Sequence, residues 1–97
     1  MLHTINKSPF SHQTFKTCLR FAKKDEPILL YEDGVYAAMA GAENEDFMAD
    51  IQKKHTVYAL QADLKGRGIT KVTQGIKTID YGGFVELVEK HKVHNWL

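Results

Sequence analysis

The feature that most constrains the fold is a short apolar run followed at once by a polar turn. The run is Val57-Tyr58-Ala59-Leu60, and the turn covers residues 61–69. A run with β-branched and aromatic members is typical of a buried strand. Asp63 followed by Gly66 and Gly68 predicts a helical turn that is capped and then stopped. Ligands gather where parallel strands end, yet this turn contains no Cys, Ser, His or Thr and offers no obvious nucleophile.

Apolar runs alternate with amphipathic segments along the whole chain. Strands are predicted at residues 2–5, 28–31, 57–60 and 77–79. The run at 28–31 is apolar throughout, which indicates burial on both faces, as in a parallel sheet covered by helices. The alternation predicts an α/β fold with three layers: a mostly parallel sheet of about four to five short strands with helices on both faces. Residues 1–97 are expected to form a single domain.

Helical periodicity fills the segments between the predicted strands. In the first, capped by Ser11 or Thr14, four side chains fall on one face: Phe15, Cys18, Leu19 and Ala22. Residues 43–54 form a second helix with Phe47, Met48 and Ile51 inside. Asp80 is the expected N-cap of a final helix whose inner face carries Phe84, Leu87, Val88 and His91. Residues 71–76 form either a short edge strand or a loop interrupted by Gly75.

Composition excludes several classes of function. The net charge of +1 gives no strong basic field, so direct nucleic-acid binding is not expected, and Lys65, Arg67 and Lys71 are too few to create one. One cysteine in 97 residues cannot form an internal disulfide, which fits a reducing compartment. The chain has no apolar stretch long enough for a membrane span, and its first residues are too polar for a signal peptide. The cytoplasm is therefore the expected location.

Cys18 is the one candidate nucleophile or sulfur acceptor. Such a role requires an exposed thiol with a lowered pKa. Cys18 lies in mid-helix on the apolar face, so it is expected to act as a small packed hydrophobe.

The remaining polar motifs have structural explanations. His91 and His94 are three residues apart but lack a convergent third ligand, so no metal site is expected; the dipole at a helix C-terminus accounts for them. Gly66-Arg67-Gly68 and Gly82-Gly83 match neither phosphate-loop pattern. Arg67 is a candidate for binding an anion or a partner carboxylate, although a surface turn explains it. No cofactor is indicated.

Asp33 and Asp80 each follow a predicted strand, so they are expected near the same edge of the sheet. Paired carboxylates can perform acid–base chemistry, but helix capping and turn formation account for both.

Several apolar side chains fall outside the periodic faces and are candidates for a partner surface. They are Phe10, Val35, Tyr36, Met39, Trp96 and Leu97. A chain this short buries a modest share of its surface, so an oligomer is expected.

Segments along nearly the full length, taken in order, resemble the TusB/DsrH family. They are Met1-Leu2-His3-Thr4 with Ser8-Pro9, Leu30-Tyr31-Glu32-Asp33-Gly34-Val35, Tyr58-Ala59-Leu60 with Asp63-Leu64 and Arg67-Gly68, and Ile79-Asp80-Tyr81 with Phe84-Val85, His91 and Trp96. The resemblance implies a fold of the DsrE/DsrF/DsrH type. It also implies a heterohexamer with TusC/DsrF-like and TusD/DsrE-like subunits, in which the TusD/DsrE-like subunit carries the sulfur.

In the TusB branch such a complex passes persulfide sulfur from a TusA-like carrier toward a TusE-like carrier, for 2-thiouridine at the tRNA wobble position. The resemblance thus implies a structural subunit without catalysis of its own. Three alternatives stay open: a DsrH-like subunit in dissimilatory sulfur oxidation, a sulfur acceptor using Cys18, and a stand-alone anion-binding module built on the turn at residues 66–68.

Overall fold

The computed structural model describes residues 1–41 and 45–97, and these form a five-stranded sheet with helices packed against it. The strands are β1 (Leu2–Ile5), β2 (Ile28–Leu30), β3 (Val57–Leu60), β4 (Lys77–Ile79) and β5 (Val93–Trp96). The helices are α1 (Thr14–Phe21), a 3₁₀ helix (Glu32–Ala38), α2 (Glu45–Gln52), α3 (Gln61–Gly66) and α4 (Tyr81–Lys90). The α/β prediction is confirmed. Glu43, the predicted start of the second helix, lies outside the described residues.

The strand order is β4-β3-β2-β1-β5, and every pair is parallel. The sheet is therefore parallel throughout rather than mostly so. β5 was not predicted as a strand. It pairs with β1, with Leu2 opposite Val93 and Ile5 opposite Trp96.

Chain direction determines which face each helix covers. From β1 to β4 the chain steps across the sheet in one direction, and from β4 it returns over the whole sheet to β5. Because parallel crossovers are right-handed, this reversal puts α4 on the face opposite α1, α2 and α3. The side chains agree: Ile5 belongs to the core cluster with Phe15, whereas Thr4 points the other way and lines a hollow with Phe84. Helices cover both faces, as predicted.

The α1–α3 side of the sheet holds the main core. The fully buried members include Ile5, Phe15, Cys18, Ile28, Leu30, Val35 and Met48. The Phe15 and Phe47 rings meet edge to face, 6.0 Å apart, and join α1 to α2. Val35 was predicted to serve a partner surface; this prediction is wrong, because the 3₁₀ helix turns it into the core.

Gly34 lets the 3₁₀ helix approach the end of β1. A β-carbon built on Gly34 would lie 2.1 Å from the carbonyl oxygen of Ile5, so the backbones meet where any side chain would collide. The β2–3₁₀ junction is thereby fixed against the sheet.

One local prediction is wrong, and of the two alternatives left open for residues 71–76 the structure has the loop. The N-cap of α1 is Gln13, rather than Ser11 or Thr14. Residues 71–76 form a loop with a single antiparallel bridge between Val72 and Met39, followed by a turn at Gly75 with φ of 94°.

Candidate functional site

Residues 61–69 contain the short helix α3 and the motif that ends it. Gly68 has φ of 68°, and its N–H donates to the Lys65 carbonyl at 3.1 Å. The Ile69 N–H donates to the Leu64 carbonyl at 2.9 Å, and both of these side chains are buried. This is a Schellman motif with its hydrophobic contact. Since these two amides already have carbonyl partners, they are not free to cradle a phosphate.

Arg67 is held by two carboxylates from this chain. Its Nε donates to Asp33 Oδ1 at 2.8 Å, and its Nη1 lies 3.6 Å from Asp63 Oδ1. The Arg67 side chain is only 24% exposed. An anion or a partner's carboxylate would have to displace these internal partners. The sequence had identified Arg67 but not its partners: Asp63 lies four residues earlier on α3, whereas Asp33 follows a different strand, β2.

Asp63 does not cap its own helix, contrary to the prediction; the N-cap of α3 is Leu60. Its Oδ2 accepts from the Glu32 N–H at 2.6 Å, so it caps the 3₁₀ helix after β2. Glu32 has φ of 47°, in the left-handed region. The Asp63 carboxylate thus stabilises this turn while its other oxygen faces Arg67.

Asp80 performs the predicted capping role: Asp80 is the N-cap of α4, and its Oδ1 accepts from the Gly83 N–H at 2.8 Å. Gly82 and Gly83 therefore lie in the first turn of α4. Asp33 and Asp80 both follow strands at the same edge of the sheet, as predicted, but β3 lies between β2 and β4 and separates them. Each carboxylate has a different partner, so the structure does not bring them together as an acid–base pair.

Cys18, the sequence's candidate sulfur acceptor, is fully buried between α1 and the sheet. Burial raises the pKa of the Cys18 thiol to about 12, and the nearby Glu26 carboxylate adds to the rise. At neutral pH the thiolate fraction is on the order of 10⁻⁵. In this conformation the Cys18 side chain is packed in the core and its thiol is protonated.

The two paired histidines of the sequence lie on different elements. His91 is the C-cap of α4, as the dipole interpretation required, whereas His94 lies on β5, where that interpretation is wrong. In the described part of the chain, no three His, Cys, Asp or Glu side chains come together as a metal-binding group.

A hydrogen-bonded chain that no sequence pattern indicated joins β5, through β1, to the segment just before β2. Trp96 Nε1 donates to His3 Nδ1 at 3.0 Å, and His3 Nε2 lies 3.0 Å from Glu26 Oε1. Indole N–H is a donor only, so His3 must be protonated at Nε2 and must donate to Glu26. The His3 hydrogen bond, followed by one from the Lys23 N–H, lowers the pKa of the Glu26 carboxyl to about 2. This network fastens the edge strand to the sheet.

Three of the eight large apolar side chains that are exposed in the described residues lie on α4. Tyr81, Val85 and Val88, at i, i+4 and i+7, are 62%, 51% and 38% exposed. We call these three residues the α4 stripe. Val93 on β5 adds a further exposed apolar side chain. Among the side chains predicted for a partner surface, Phe10 and Leu97 are exposed, whereas Tyr36, Met39 and Trp96 pack partly against the core.

No helix in the described ranges, 1–41 and 45–97, is both long and apolar enough to cross a membrane.

Comparison with known proteins gives consistent matches over the chain. Residues 7–94 match the family described as DsrH like protein. The chain is 37% identical over 93 residues to "Protein TusB" of Serratia proteamaculans, covering 95% of each chain. It is 39% identical over 92 residues to "Protein TusB" of Escherichia coli O81, covering 94% of each.

Solved structures share the fold at lower identity. The crystal structure of the ychN protein from E. coli aligns with a TM-score of 0.80 at 15% identity, covering 97% of both chains. The MTH1491 protein of Methanobacterium thermoautotrophicum, described as of unknown function, aligns with a TM-score of 0.73 at 12% identity, covering 97% of this chain and 96% of that one. At these identities the likeness concerns the fold alone.

Proposed function

The chain belongs to the DsrH-like protein family, and from this premise we propose that it is a structural subunit of a sulfur-relay complex that does not itself carry sulfur. Membership and the similarity to TusB proteins support the sulfur-relay assignment. The proposed role of this subunit rests on Cys18 and the exposed side chains of α4, whereas its partners and the substrate of the relay are proposed from the family and the TusB relatives.

The observation that carries the proposal is the state of Cys18. A sulfur carrier must present a thiolate to a persulfide on another protein. The one cysteine of this chain is fully buried, and its pKa is raised to about 12. We propose that the sulfur moves between thiols of the partner proteins, and that this chain forms no bond to it.

The role left for this chain is assembly, and the α4 stripe supports it. Three exposed apolar side chains on one helical stripe are unfavourable in water and typical of a protein interface. We propose that homologous TusC/DsrF-like and TusD/DsrE-like subunits complete the complex. TusA-like and TusE-like carriers would deliver and remove the sulfur in the cytoplasm.

We further propose that the relay serves 2-thiouridine formation at the tRNA wobble position, because the relatives at 37% and 39% identity are TusB proteins. Deleting the gene should abolish wobble thiolation, measured by mass spectrometry of digested tRNA. A Cys18→Ser chain should restore thiolation in full. Unchanged thiolation in the deletion strain would reject the tRNA assignment, and failure of Cys18→Ser to complement, if that variant folds, would reassign Cys18 as a sulfur acceptor.

The assembly is tested by co-purification. A tagged chain, co-expressed with its homologues, should yield a three-component complex by native mass spectrometry. Val85→Glu should reduce recovery of the partners because it places a charge in the α4 stripe. Glu86→Gln, an exposed change on the same helix, is the matched control. A monomer under all conditions, or equal recovery with Val85→Glu, would contradict the proposed interface.

A further inference from the structure

A pocket of about 460 Å³ lies between α1 and α2, away from the strand ends and from the α4 stripe. Leu19, Phe47 and Ile51 supply apolar wall, Lys53 and Lys54 lie at its rim, and His55 closes it. This volume is within the range of small-molecule sites, which combine apolar walls with a few convergent polar groups.

His55 gives the pocket an unused hydrogen-bonding atom. The residue is only 6% exposed, and its Nδ1 lies 2.8 Å from the backbone carbonyl oxygen of Glu26. A carbonyl oxygen can only accept, so Nδ1 carries a proton and donates. Among the described residues Nε2 has no hydrogen-bond partner, and His55 lines the pocket. The buried ring is therefore held by one nitrogen while the other is left for a ligand.

The charges around this nitrogen favour an anion. Lys53 lies 3.3 Å from Asp50, the one acidic side chain in the pocket lining that the structure describes. Lys54 forms no ion pair within the described residues, so its charge is uncompensated. Near the C-terminus of α2, the carbonyls of Asp50 and Ile51 already accept N–H groups from residues 53–55.

We propose that this pocket binds a small free carboxylate with a short apolar body. The body would lie against Leu19, Phe47 and Ile51, and the carboxylate would meet His55 Nε2 and the Lys54 ammonium. With the Nδ1 proton hydrogen-bonded to the Glu26 carbonyl, Nε2 takes up one proton from solvent when the carboxylate binds, so that His55 then donates from both nitrogens, to the ligand and to the Glu26 carbonyl. This site does not depend on the proposed role in sulfur relay.

The test is an NMR titration of the intact chain with hexanoate, followed by backbone amide shifts. Saturable shifts at Leu19, Ile51, Lys54 and His55, with a dissociation constant of about 1 mM, are expected for a ligand of this size. Hexanol and hexylammonium share the apolar body but lack the anion, so each should bind at least about tenfold more weakly. Equal binding of either compound, or shifts that do not saturate or that lie elsewhere, would overturn the proposal.

Two variants assign the anion contact. His55→Asn keeps an N–H donor for the Glu26 carbonyl and removes Nε2; it should weaken hexanoate binding about tenfold. Lys54→Met changes an exposed rim residue, so it keeps the test valid if His55→Asn does not fold, and it should weaken binding several-fold. Lys65→Met, on α3, is the matched control and should leave binding unchanged. Full affinity in Lys54→Met together with full affinity or misfolding in His55→Asn would reject the assigned contact.

Discussion

The two faces of the sheet differ in how completely the helices of this chain bury their apolar side chains. On the α1–α3 face, side chains from the sheet and its helices form one cluster that includes eight of the ten largest fully buried side chains in the described residues, among them Phe15, Cys18 and Met48. On the other face, none of the ten residues Tyr81–Lys90, all in the described part of the chain, is fully buried. The comparison teaches that one face is completed by this chain, whereas the other keeps apolar surface for a further layer.

The largest expected effect tests the finished face. Phe15→Ala should lower the free energy of unfolding by about 3–5 kcal/mol, because it removes a fully buried ring that packs against Phe47. Phe10→Ala deletes the same ring at a site that is 54% exposed and should stay within about 0.5 kcal/mol of the parent. Urea denaturation measures both. Similar losses for the two variants would show that this face is not the principal core.

A second prediction concerns the junction above the same face. Gly34→Ala should cost roughly 1–3 kcal/mol or more, because the new β-carbon would collide with the Ile5 carbonyl and the backbone must move. Gly66→Ala is the matched control: nothing lies within 4 Å of its β-carbon, and it should be neutral or stabilise α3 by up to about 1 kcal/mol. If Gly34→Ala has the stability of its control, the close approach of the 3₁₀ helix to β1 is contradicted.

The third prediction concerns α4, which covers the face with exposed apolar side chains. Asp80→Ala should lower the free energy of unfolding by about 1 kcal/mol, because the Gly83 N–H loses its side-chain acceptor. Asp80→Asn keeps an acceptor oxygen and should retain most of the stability. A greater loss from Asp80→Ala than from Phe15→Ala would reverse the comparison between the faces.

The smallest expected effect depends on pH and involves the network that fastens β5. The pKa of Glu26, lowered to about 2 mainly by the hydrogen bond from His3, lies below the unfolded value of about 4.3. The ionised carboxylate therefore stabilises the fold above about pH 5, and this contribution is lost as pH falls from about 4 through 2. Glu26→Gln should be destabilising at pH 7 and less so at pH 3, as measured by urea denaturation.

Glu86→Gln, an exposed change on α4, is the control for this pH comparison and should show no such difference. A Glu26→Gln deficit of the same size at both pH values would mean that the carboxylate's charge does not support the network.

What the sequence predicted follows from how local its signals are. Some signals come from residues that are adjacent in the sequence: the apolar runs at residues 28–31 and 57–60, and the Asp80 cap. The structure has each of these elements at or near its predicted position. β5 was missed because only Trp96 of its four residues is partly buried, so it has little apolar pattern. Its pairing with β1 joins segments at opposite ends of the sequence.

In the candidate site too, local features could be predicted from the sequence and contacts between distant segments could not. Arg67 and Asp63 are four residues apart on one helical turn, but the closer partner, Asp33, meets Arg67 only because β2 and β3 end at the same edge of the sheet. Asp63 looked like a cap for its own helix, and it caps the 3₁₀ helix instead, because β2 and β3 are neighbours. Such pairings depend on strand order, which no local pattern contains.

The burial of Cys18 has a practical consequence for kinetics. A thiol with no exposed surface can react with an alkylating reagent only while the α1 side of the molecule is transiently open. If closing is faster than alkylation, the ratio of the labelling rates of the folded and unfolded chains gives the free energy of that opening. Because the chain has one cysteine, the signal comes from one position. Cys18, which is unsuited to carrying sulfur, therefore reports how often the α1 side of the protein opens.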